Sequence, residues 1–165
     1  METTKTLEIL KQAILLEKRG KAFYTTAAEK SDDPDVKHIF TAMAEEETEH
    51  VKFLAKQYKS YEEGGKFADM EVPADSTIAD EVLSEKMADK INAASFEAAA
   101  IASAIEMENK AIALYDGRSK EATDPEEKKF YNWLADWERG HHQVLFKLDQ
   151  ELKEKVWNDN SFWPF

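Results

Sequence analysis

The chain has 165 residues, 42% hydrophobic and 34% charged, with 22 Lys and Arg against 34 Asp and Glu for a net charge of −12. That length suits one domain with a sizeable core, and the acidic balance argues against nucleic acid or an anionic lipid surface as partner, since both repel it. There is no cysteine, which excludes disulfides, thiolate metal sites, iron–sulfur clusters and cysteine nucleophiles together.

The opening METTKTLEIL lacks a basic segment followed by an apolar one, and no apolar run approaches the roughly 20 residues that cross a bilayer. A cytoplasmic protein of one domain, residues 1–165, is the expectation.

The first helix is predicted over about residues 5–30, with Leu10, Ile14, Tyr24 and Ala28 on one face. The second begins at DDPDVKHIF, where Asp33 can cap and Pro34 suits the first turn. Its inward face reads Ile39, Phe40, Met43 and Leu54. A long link over residues 59–92 follows, holding EEGGK, Pro73 and a short helical pattern, STIADEVLSEKM, with Ile78, Val82 and Met87 in a partial stripe. The third helix is predicted over about residues 93–121, with Ile101, Ile105, Ile112 and Tyr115 in register. The fourth opens at TDPEEKKFYNWL, where Asp124 caps, Pro125 follows and Glu127 stands at the capping-box position. It continues to about residue 155. The last ten residues, 156–165, are rich in aromatics: Trp157, Phe162, Trp163 and Phe165. They are expected to cover the bundle or a neighbouring subunit, because an exposed apolar tail invites association.

Short turns join helices one to two and three to four, so each pair should lie antiparallel. The long link can travel the length of the bundle and set helix three parallel to helix two. The predicted fold is all-α: a four-helix bundle of two antiparallel hairpins joined by one crossover.

The hairpins resemble each other. A gapless shift of 91 residues lays residues 13–56 over 104–147 with 13 identities in 44 positions, which reads as an internal duplication. Among the identities are Glu17 with Glu108, Glu47 with Glu138, and His50 with His141. Each hairpin thus supplies a Glu from its first helix and a Glu-x-x-His from its second. Residues three apart share a helix face, and apolar neighbours on the same faces turn all six groups inward. Four carboxylates cannot be buried together unless protons or cations neutralise them. Two divalent cations balance four glutamates, and each imidazole adds one neutral ligand. Mixed carboxylate and imidazole ligation suits iron or manganese, and zinc is compatible by ligand type. A single Glu-x-x-His would be weak; two in register, each with an inward Glu on the preceding helix, are specific. The plainer alternative is a bundle whose inward carboxylates reach solvent at one end.

This pattern resembles the ferritin-like di-iron carboxylate proteins, and among them the rubrerythrin group, across most of the chain. The resemblance implies a ferritin-like fold, two iron ions, and Glu17, Glu47, His50, Glu108, Glu138 and His141 as ligands. In that group the glutamates of the Glu-x-x-His helices bridge the metals or nearly do so. Two departures stand out. Rubrerythrins proper carry a rubredoxin-like domain with cysteines, absent here, so electrons are expected from an external donor. They also carry an additional glutamate one turn before the helix-three ligand, where this chain has Ile105 while neighbouring Glu106 points elsewhere.

Tyr24 and Tyr115 lie two turns beyond Glu17 and Glu108 and can hydrogen-bond a ligand carboxylate or serve simply as core. Trp133 and Trp137 read as packing residues, His38 as a surface residue, and His142 as a bystander or a group supporting its neighbour. The leading functional expectation is a di-iron redox protein that reduces peroxide or dioxygen, assembled as a homo-oligomer, a dimer first. The alternatives are ferroxidase activity with iron storage, and a non-catalytic metal-binding bundle.

Overall fold

The computed structural model describes residues 2–69, 87–92 and 95–158. Five helices lie among them: α1 (Glu2–Lys30), α2 (Pro34–Gly64), α3 (Met87–Lys90), α4 (Phe96–Glu121) and α5 (Pro125–Asn158). No strand occurs among the described residues. The fold is an all-α, ferritin-like bundle.

Local chemistry sets the helix ends. Asp33 adopts an extended backbone and accepts hydrogen bonds from the amides of Asp35 and Val36, with Pro34 behind it in the first turn. Asp124 accepts from the Glu126 amide at 2.8 Å, again just before a proline. Ser95 caps α4 through the Ala98 amide.

Helix α2 runs past residue 59, where the link was expected to begin. It ends at Gly65, whose φ of 67° is the left-handed conformation and whose amide bonds the Tyr61 carbonyl. The extra turns are held from outside: the Gln57 side chain bonds both the amide and the carbonyl of Ala68. That folds the chain back and seats Phe67 against Tyr61, Phe130 and Tyr131. Helix α4 starts at Phe96, later than predicted, where Ser95 caps it. Helix α5 continues to Asn158, so Val156 and Trp157 are helical, and Trp157 stands 71% exposed instead of covering the bundle. Of the expected short helix, STIADEVLSEKM, only Met87 lies among the described residues, where it opens α3; Ile78, Val82, Phe162, Trp163 and Phe165 lie outside them.

Helix α1 packs along α2, and α4 along α5. Tyr24 meets Glu108 while Glu17 meets Tyr115, so α1 and α4 run in opposite directions. Glu46 meets Trp137 while Phe53 meets Trp133, so α2 and α5 do as well. Helix α4 therefore runs parallel to α2, as a single crossover requires.

The core is divided. One apolar cluster holds Tyr24, Phe40, Met43, Ile101 and Leu145; the other holds Leu10, Leu54, Phe130, Tyr131 and Leu134. The six predicted polar groups lie buried in the same bundle interior.

Candidate metal centre

All six side chains face the bundle interior and are at most 3% exposed. Of the predicted stripes on α1 and α4, Leu10, Tyr24, Ala28, Ile101 and Tyr115 are buried, and three isoleucines are not fully so. The buried positions around Glu17 are Ala13, Gly20 and Tyr24, and those around Glu108 are Ala104, Ala111 and Tyr115. Ile14, Ile105 and Ile112 sit one step off this line and are only partly buried. Small residues on either side of each Glu leave space where larger ones would press on the carboxylates. Gly20 is the tightest case: a Cβ there would lie 3.3 Å from Glu47 Cδ. On the same side a cavity of about 10 Å³ reaches the carboxylates, lined by Leu16, Gly20, Met107 and Ala111. That is about the room one water needs.

The donors fall into two overlapping groups, each with ligand atoms within 4.8 Å of one another: Glu17, Glu47, His50 and Glu138, and Glu47, Glu108, Glu138 and His141. Glu47 and Glu138 belong to both. His50 Nδ1 lies 3.0 Å from Glu17 and 2.9 Å from Glu138; His141 Nδ1 lies 3.2 Å from Glu138 and 3.6 Å from Glu108. The rings are 5.9 Å apart and inclined by 30°.

Two tyrosines close the arrangement crosswise. Tyr24 donates to Glu108 and Tyr115 donates to Glu17, each reaching the other hairpin. Burial and the facing carboxylates push both phenols well above their ordinary pKa, so they remain neutral donors.

The electrostatics show how demanding the cluster is. Burial, then repulsion from Glu138, raises Glu108 to about 8, and Glu47 is raised for the same reasons. Burial also opposes charge on the imidazoles, but facing carboxylates outweigh it and raise both His50 and His141. Glu138 goes the other way: burial raises it, and the two histidines more than reverse this, holding it well below the usual range.

Despite these proximities, both Glu138 carboxylate oxygens and His141 Nδ1 have no hydrogen bond of acceptable geometry. Buried acceptors left so call for a partner of another kind. A pair of cations fits: the donors are oxygen and imidazole nitrogen, four carboxylates match two divalent charges, and the two groups share two members.

Several residues at the site were not read from the sequence. Glu46 accepts from Trp137 Nε1 at 2.5 Å and lies 2.7 Å from His141 Nε2. Trp137 therefore does more than pack, and its ring stands edge-on to His50. Gly20 is the other omission, and alignment with Ala111 was the available signal. His142 stacks on Phe146 and is partly exposed; His38 is exposed; Ile105 packs beside the first apolar cluster and Glu106 is exposed.

Fold and site together define a ferritin-like four-helix protein with a buried Glu and His cluster suited to metal. The rubrerythrin family profile matches residues 8–149, and the chain belongs to that family of di-iron ferritin-like proteins. It is also similar to a solved structure, a hypothetical protein from Pyrococcus furiosus, at 26% identity and a TM-score of 0.64, with 90% of each chain covered. A search of curated proteins finds no match. No helix among the described residues is long and apolar enough to cross a membrane.

Proposed function

We propose that Glu17, Glu47, His50, Glu108, Glu138 and His141 hold two iron ions, with Glu47 and Glu138 shared between them, and that the protein reduces peroxide or dioxygen. The observation that supports this best is the pairing of two four-donor groups with a cavity of only about 10 Å³ at their carboxylates. Space on the scale of one water is nearer to peroxide or dioxygen than to an organic substrate. Bound iron would supply the electrons and the Lewis acidity. Hydrogen peroxide takes up two electrons and two protons to give two waters, and the electrons are returned by a separate donor protein. The protein's part is to hold the donors fixed, to exclude bulk water through the two flanking cores, and to keep Glu17 and Glu108 oriented through Tyr115 and Tyr24. Ile105 leaves the ligand set at six, without the additional carboxylate of rubrerythrins proper.

The test is metal content after growth on iron, joined to a peroxide assay. About two irons per chain are expected, with marked loss in Glu47→Ala and Glu138→Ala. Full retention in both variants would overturn the ligand assignment. The reduced protein should consume peroxide faster than free ferrous ion does. Equal rates, with a shell-sized mass by light scattering, would move the reading to iron storage.

A further inference from the structure

The 91-residue shift that pairs the ligands also pairs Glu46 with Trp137. Both occupy the same place in their hairpins, one residue before the shared glutamate, and each lies against the other hairpin's histidine. Their chemistry differs completely. On one side Glu46 Oε2 lies 2.7 Å from His141 Nε2 and accepts from Trp137 Nε1 at 2.5 Å. On the other, the Trp137 ring stands edge-on to His50, with centroids 5.2 Å apart, and Trp133 stands edge-on at 6.1 Å. His50 Nε2 is buried with no hydrogen-bond partner.

An ionised carboxylate only accepts, and Trp137 Nε1 only donates, so the proton between Glu46 and His141 belongs to Nε2. Nδ1 of His141, which faces Glu108 and Glu138, is then the nitrogen that can turn its lone pair to a metal once the metal displaces any proton there. Trp137 in turn fixes the Glu46 carboxylate. His50 has no such device at Nε2, only aromatic edges. A carboxylate behind a ligating imidazole fixes its orientation and raises its basicity, an effect of about 10–100-fold in metal affinity.

Resting on the two-metal reading above, we propose that Glu46 is a positioning residue that makes the two metal positions unequal, so that the one served by His141 fills first and more tightly than the one served by His50. Trp137 belongs to the same device, as the donor that holds Glu46 in place.

The experiment is a titration of metal-free protein with Co(II), followed by calorimetry and by the visible absorbance of bound cobalt. Wild type should bind two equivalents in resolved steps about 10–100-fold apart. His141→Ala should remove the tighter step and His50→Ala the weaker one. Glu46→Ala should weaken the tighter step and merge the two. Glu46→Gln, which keeps shape and an acceptor oxygen, should give a smaller shift in that same step, and Trp137→Phe, which loses the donor together with part of the ring beside His50, should weaken it as well. Equal steps in wild type, or a Glu46→Gln titration identical to wild type, would overturn the proposal while leaving the two-metal reading intact. No stoichiometric binding, or two equivalents retained in His141→Ala, would overturn that reading, and this proposal with it.

Discussion

Tyr24 donates a hydrogen bond to Glu108, 84 residues further along the chain and on the other hairpin. Its counterpart under the 91-residue shift, Tyr115, returns the bond to Glu17. Each carboxylate is thus placed by its own helix and oriented by the opposite one, so neither hairpin completes its half of the site alone.

Removing either hydroxyl should therefore be felt twice. Tyr24→Phe or Tyr115→Phe leaves a buried carboxylate short of a donor, a loss of about 1–3 kcal/mol. Urea denaturation of the metal-free variants checks this, and cobalt binding should weaken by about 10-fold or more in each. If the double variant is no less stable than either single one, the two bonds do not act across the bundle as described.

The contrast with Glu46 shows what was legible in the sequence. The six polar groups that the structure brings together are identical pairs under one shift, and helical spacing turned them inward. Glu46 aligns with a tryptophan and sits inside the run AEEETEH, where nothing marks it out from Glu45 or Glu49. Its role depends on reaching the opposite hairpin, a relation that periodicity along one helix does not contain. The stripes on α1 and α4 are legible at Leu10, Tyr24, Ala28, Ile101 and Tyr115, but isoleucine also looks like core at 14, 105 and 112, whereas beside the glutamates the buried line runs through Ala13, Gly20, Ala104 and Ala111. The end of α2 was missed for a similar reason. The link is read from residue 59, whereas Gln57 and Tyr61 have partners beyond the helix that carry it to Gly64.

Gly20→Ala should separate stability from metal binding. Alanine favours the helix by about 1 kcal/mol, but its Cβ would stand 3.3 Å from Glu47 Cδ, and Glu47 belongs to both donor groups. The expected result is a thermal midpoint of metal-free protein equal to wild type or higher, with both cobalt steps weakened. Unchanged affinity would show that Glu47 has slack the structure does not suggest.

A buried ion pair away from the donors supplies a control. Arg118 Nε donates to Glu127 at 2.6 Å and Nη2 reaches Thr6 at 3.1 Å, tying α4, α5 and α1 together. Glu127→Ala strands a buried guanidinium and should cost about 3–5 kcal/mol. Cobalt stoichiometry at low temperature, where the variant remains folded, should still be two per chain. Loss of metal with the fold intact, by circular dichroism, would show that the pair is coupled to the site.

Protons and metal should compete for the same carboxylates, and the sign can be worked out group by group. Glu108 has an ordinary value of 4.5 and about 8 in the fold, raised by burial and by Glu138. A raised acid binds its proton more tightly when folded, so its contribution to stability is full below 4.5 and is lost as pH rises to about 8. Glu47 acts in the same direction. The histidines, raised above 6.5, also stabilise at low pH and cease to as pH climbs through their folded values. Glu138, lowered, contributes above 4.5 and is lost on acidification. For metal-free protein the raised groups outnumber the lowered one, so the site should destabilise the fold as pH rises from 4.5 to about 8. Metal must displace those protons, so the rise in thermal midpoint on adding saturating Co(II) should grow across the same interval. Calorimetry in buffers of different ionisation heat should show proton release that declines toward the alkaline end. A midpoint shift that is flat over this range would mean that the cluster does not exchange protons for metal.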